Sequence, residues 1–144
     1  NFWIILFLAI FLSIIQTSEI FLIFGIKINL IFSFIAALAF SEVLDKDYFL
    51  ISILIVIFSK FTPGIDRESI SILIAILLFF LTSKLFSTSV ISVYLLTLVS
   101  TFIFYTILDY QFLAKNLLLV LIESFLNSFS AILMYGLINK IKSF

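Results

Sequence analysis

The chain has 144 residues, 65% of them apolar and 11% charged, and eight basic side chains balance eight acidic ones. An ordinary soluble domain is about half apolar and a quarter charged, and a chain this short cannot bury so large an excess, so a soluble globule and a disordered segment are excluded. Zero net charge leaves no bulk field for nucleic acid, and the lack of His and Cys removes imidazole bases, thiolate nucleophiles, disulfides and thiolate zinc sites.

What remains is an all-α integral membrane protein, one domain over residues 1–144. A spanning helix needs about 20 apolar residues, so charges mark the ends of the spans. Asn1–Ser18 is the first. It lacks the basic start and small-residue cleavage site of a signal peptide, so a retained helix is expected. Glu19 follows, then a short apolar stretch to Lys27. Ile28–Ser41 is the second span, running on to Leu44. Glu42, Asp45, Lys46 and Asp47 read as a wet turn. Tyr48–Ser59 begins the third span, which reaches Thr62 if Lys60 snorkels.

Pro63-Gly64 favours a turn. With Asp66, Arg67 and Glu68 beside it, this is the clearest loop. Ser69–Ser83 is the fourth span, ended by Lys84 and Ser87-Thr88-Ser89. Val90–Leu108 is the fifth. Asp109, Gln111, Lys115 and Asn116 form a connection. Leu117–Ile138 is the sixth, ending at Asn139, Lys140 and Lys142. The result is a compact bundle of six transmembrane helices, or five if one of the short second or third segments is demoted. The runs are continuously apolar rather than alternating, which excludes β-barrel strands.

Orientation is balanced. With six spans, Lys46, Lys84, Lys140 and Lys142 share a side with both termini, and Lys27, Lys60, Arg67 and Lys115 lie opposite. The positive-inside rule then gives a tie. The pair at Lys140 and Lys142 inclines the reading towards cytoplasmic termini.

Polar side chains at membrane depth are costly and therefore informative. Glu123 lies six residues into the last span, and Asn127 follows at i+4 on the same helix face. Ser124, Ser128 and Ser130 flank them. Such a stripe can meet a ligand, an ion or a partner helix; alternatively, Glu123 is a carboxylate near the interface, neutral or paired, and Asn127 bonds a neighbouring helix. Gln16 and Glu19 end the first span, either as a polar cap over a cavity or as an interfacial helix end. Ser33, Ala36, Ala37, Ala39 and Ser41 suit close helix packing in the second span. Thr97, Ser100, Thr101 and Thr106 are expected to bond their own backbone. Tyr94, Tyr105, Tyr110 and Tyr135 are expected in interfacial belts.

No catalytic or metal-binding constellation is evident, and no cofactor is implied. The three Gly form no phosphate loop. The Pro-Gly break lies in a loop rather than inside a helix, unlike the broken helices of transporters. A non-enzymatic role is expected.

The order of features resembles MreD, the small membrane protein of the bacterial rod-shape machinery. Ile15-Gln16-Thr17, Phe24-Gly25 and Asn29-Leu30 look like that family's first-span end, outer loop and second-span start. Pro63-Gly64 between two spans, and Asn127 leading to a basic end, add to the likeness. Ile28 replaces a Pro frequent in the family, and Ile51 to Lys60 lacks the family's Gly-rich run with its acidic residue. The resemblance implies a fold similar to the substrate-binding subunits of energy-coupling-factor transporters. It also implies a scaffold in the bacterial cytoplasmic membrane. Its partners would be the lipid bilayer, MreC-like and RodA-like proteins and the transpeptidase that accompanies RodA. Glu123, Asn127, Gln16 and Glu19 are the candidate partner or ligand surface. Two other roles fit the same residues: a vitamin-transporter substrate-binding subunit, and a small accessory subunit of a larger membrane complex.

Overall fold

A computed structural model of the chain describes residues 1–17, 22–23, 26–59 and 67–143. Seven helices and one small strand pair form among them: α1 (Phe2–Thr17), β1 (Leu22–Ile23), β2 (Ile26–Lys27), α2 (Leu30–Phe40), α3 (Asp45–Phe58), α4 (Arg67–Leu85), α5 (Val90–Leu108), α6 (Tyr110–Lys115) and α7 (Leu117–Ser143). The strands pair antiparallel, Leu22 opposite Lys27 and Ile23 opposite Ile26. The fold is a helical bundle. Three helices, α4, α5 and α7, are long and apolar enough to cross a membrane, which suggests a membrane protein.

Polar contacts sort the helix ends into two groups. At one end, Asn1 donates to the Lys142 carbonyl, Lys84 pairs with Asp45 at 2.7 Å, and Thr88 donates to Glu42. At the other end, Gln16 meets Leu30, Asn29 meets Asn127, and Tyr105 meets Glu123. Successive long helices therefore run in opposite directions, with α6 as a short connector.

The centre of the bundle is α2. It is apolar on every side, and a helix of that kind belongs in a core rather than at a surface. Every residue from Leu30 to Phe40 except Ala39 is buried. It packs on α1, α3, α4, α5 and α7. Phe32 meets Phe79 of α4 and Phe104 of α5 edge to face, with centroids 5.2 and 5.6 Å apart. Such pairs add about 0.5–1.5 kcal/mol beyond area burial. Eleven residues make a helix only about 16 Å long, against a hydrocarbon core of about 30 Å. The segment expected to span from Ile28 to Leu44 is thus an inner helix sheathed by its neighbours. On the other flank, Tyr48 of α3 donates to the Ile76 carbonyl of α4 at 2.7 Å and stacks on Phe80.

Several expected boundaries are corrected. Asp45, Lys46 and Asp47 are not a wet turn but the first turn of α3. Acidic groups there complement the partial positive charge of a helix N-terminus. Glu68 opens α4 for the same reason, and Lys84 closes it from inside the last turn. The connection after Leu108 is itself helical, because the Asp109 side chain accepts from Phe112 N–H and caps α6. The last helix does not stop at Ile138. It runs through Asn139, Lys140 and Lys142 to Ser143, where cations suit the C-terminal dipole. Val90–Leu108 holds at both ends: Ser89 caps the start and Asp109 ends it. Glu19, Phe24-Gly25, Lys60, Pro63-Gly64 and Asp66 lie outside the described residues.

Candidate functional site: a polar node and cavity at one end of the bundle

The site begins with a backbone problem. The first four N–H groups of a helix have no partner within it, and α2 starts among apolar side chains. Asn29 provides the first remedy, as its side chain accepts from Phe32 N–H at 3.0 Å. An Asn before an apolar run is a favoured N-cap. The second comes from α7: Asn127 Oδ1 accepts from Asn29 N–H at 2.8 Å. The third comes from α1: Gln16 Oε1 accepts from Leu30 N–H at 2.8 Å. Ser33 locks the node by donating to the carbonyls of Asn29 and Asn127. Asn127 Nδ2 reaches Thr101 Oγ1 of α5 at 3.4 Å. Two other helices, α1 and α7, thus join Asn29 in closing the N-terminus of α2, and α5 holds Asn127 in place.

Beside this node lies a half-open cavity of about 210 Å³. Gln16, Asn29, Glu68, Tyr105 and Glu123 supply its polar lining, with Phe104 and Leu108 between them. Glu123 is only 7% exposed. The Tyr105 hydroxyl donates to Glu123 Oε2 at 2.5 Å.

The predicted site residues divide as follows. Gln16 and Glu123 both line the cavity. Asn127 does not. It is 1% exposed, sits beneath the cavity and has both ends of its amide engaged within the chain. That arrangement is the intramolecular alternative of the two weighed for it. Glu19 lies outside the described residues. Thr97, Thr101 and Thr106 bond carbonyls four residues back, as expected. The Tyr105 hydroxyl, expected near an interface, is held by Glu123.

Asn29, Ser33, Glu68 and Tyr105 were not singled out as site residues. Asn29 carried a readable signal, an Asn immediately before an apolar run. Glu68 looked like part of a solvated loop. Tyr105 gave no local sign, because its partner is 18 residues away on the next long helix.

Among the described residues no group of three or more His, Cys, Asp or Glu is placed to hold a metal ion. No protein-family model, no curated protein and no solved structure matches the chain.

Proposed function

We propose that the chain is a non-enzymatic membrane scaffold similar to MreD, acting in the bacterial cytoplasmic membrane. In this reading α1 to α5 and α7 give six crossings, in an arrangement similar to energy-coupling-factor substrate-binding subunits. The helix α2 crosses inside a sheath of protein, where a short segment is tolerated, and α6 lies at the interface. The partners are MreC-like and RodA-like proteins and the transpeptidase that accompanies RodA. Recognition is helix against helix, by van der Waals packing and a few hydrogen bonds.

The observation that supports this reading is the contrast between interior and exterior. The buried polar side chains tie the chain's own helices together. The outside presents large apolar groups, among them Trp3 and Phe7 on α1, Ile91 and Leu95 on α5, and Phe129 and Leu133 on α7. Such a surface suits lipid and other membrane helices.

The cavity favours a second reading, a substrate-binding subunit of a vitamin transporter. Its volume of about 210 Å³ falls below the roughly 300–1,000 Å³ typical of drug-sized sites, which weighs against a whole vitamin. A small accessory subunit of a larger complex shares the apolar exterior.

The test is purification of the tagged chain from its own membranes in mild detergent, with mass spectrometry of what accompanies it. MreC-like and RodA-like proteins are the expected companions. Recovery of ATPase subunits or a bound vitamin-sized molecule would replace the scaffold reading with the transporter reading. Subunits of a respiratory complex would replace it with the accessory one.

A further inference from the structure

We propose that the cavity between Gln16, Asn29, Glu68, Tyr105 and Glu123 binds an oxygen-bearing organic ammonium ion of the ethanolamine type. The first argument is charge. The cavity wall carries two carboxylates, Glu68 and Glu123, and no Lys or Arg among the described residues lines it. Glu123 is more than nine-tenths buried, and its bonded neighbour in the cavity wall, Tyr105, is a neutral donor. A buried carboxylate is costly without a counter-charge, and an ammonium ion seated between Glu68 and Glu123 supplies one.

The second argument is the direction of the amides. Gln16 Oε1 and Asn29 Oδ1 both accept from backbone N–H groups of α2. Their oxygens are engaged there, which turns the NH₂ ends away from α2. Both residues line the cavity, so these ends are donors for an oxygen atom of a ligand. The same geometry disfavours a metal ion. Calcium takes about six to eight oxygen ligands, and both amide oxygens are already occupied.

The third argument is size and shape. About 210 Å³ admits a headgroup or a small amine rather than a drug-sized molecule. The rings of Phe104 and Tyr105 add faces that attract an organic cation. The ammonium group sits between the two carboxylates and against these rings, and the ligand's oxygen accepts from the amides. Free ethanolamine and the headgroup of phosphatidylethanolamine share this chemistry.

The test uses the full chain purified in detergent near neutral pH, at matched ionic strength. Ethanolamine is expected to raise the unfolding temperature by a few degrees, since a ligand that prefers the folded state stabilises it. N-Acetylethanolamine, which keeps the hydroxyl but loses the charge, is expected to do nothing. Glu123→Gln keeps an acceptor for Tyr105 and is expected to weaken ethanolamine binding at least tenfold. Glu68→Gln, at an exposed helix start, gives a second reading with little risk to folding and a similar loss. No shift with ethanolamine, an equal shift with the neutral analogue, or an equal shift in both variants overturns the proposal. Native mass spectrometry from bilayers of phosphatidylethanolamine and phosphatidylglycerol separates the sources. Retention of phosphatidylethanolamine that is lost in Glu123→Gln assigns the lipid. Binding of ethanolamine without lipid retention assigns the free amine.

Discussion

The two ends of α2 pose the same problem and receive different answers. Each end of a helix leaves four backbone groups without intrahelical partners. At the N-terminus the partners are neutral side chains, Gln16, Asn127 and Asn29 itself. At the C-terminus the hydroxyl and N–H of Ser41 turn back to the carbonyls of Ala37 and Leu38, and the outermost carbonyls, those of Ser41 and Glu42, go to a charge, Lys142. The difference follows the side chain that α7 brings to each end. Asn127 is 1% exposed, where a neutral amide avoids the desolvation cost of an ion. Phe40 and Ser41 are buried as well, but Glu42 and Lys142 beside them are exposed, so a flexible cation stays near water while favouring the negative end of the helix dipole.

This contrast can be broken by substitution. The largest effect is expected from Asn127→Leu, which strands Asn29 N–H and removes the link to Thr101. An unpaired buried group costs about 1–3 kcal/mol, read as lost resistance to denaturant in detergent. For the same reason Asn127→Leu reports on folding and cannot by itself report on partner binding. Gln16→Leu removes a single acceptor, for Leu30 N–H. It is expected to cost about 1 kcal/mol and to speed amide exchange at Leu30 more than elsewhere in α2.

Smaller effects sharpen the comparison. Ser33→Ala deletes one hydroxyl proton shared between the carbonyls of Asn29 and Asn127, the first of which also accepts from Ser33 N–H, so about 0.5–1 kcal/mol is expected. Lys142→Met is expected to cost about 0.3–1 kcal/mol. Its loss should shrink in molar salt, where the screening length falls to about 3 Å, while the Asn127→Leu loss should not. Lys84→Met removes an exposed pair with Asp45 and is expected to change stability by less than about 0.5 kcal/mol. If Lys142→Met proves costlier than Asn127→Leu, the contrast between the two ends is wrong.

How much of this was legible in the sequence depends on distance along the chain. Val90–Leu108 was readable to the residue because Ser89 and Asp109 flank an unbroken apolar run. The start of α3 was not, because Asp45, Lys46 and Asp47 look like a loop until the helix dipole is considered. Glu123 and Gln16 stood out as polar groups in apolar surroundings, and both line the cavity. Their purpose was hidden, because the bonds that define it connect residues far apart. Asn29 and Asn127 are 98 positions apart, and no local pattern encodes such a pairing. The inner position of α2 was hinted at by its small residues, Ser33, Ala36 and Ala37. Its short length was legible too, since Asn29 on one side and Ser41-Glu42 on the other bracket the apolar run.

Both ends of α2 are closed in part by α7, through Asn127 at one and Lys142 at the other. The ribosome makes α7 after every other described helix. The inner helix is therefore made before Asn127 and Lys142, which satisfy part of its backbone, exist. Until they emerge, its free N–H and C=O groups need the insertion machinery, water or a chaperone. Closure of the bundle is then a late event in biogenesis, and a chain stalled before Leu117 would expose the segment most prone to quality-control proteolysis.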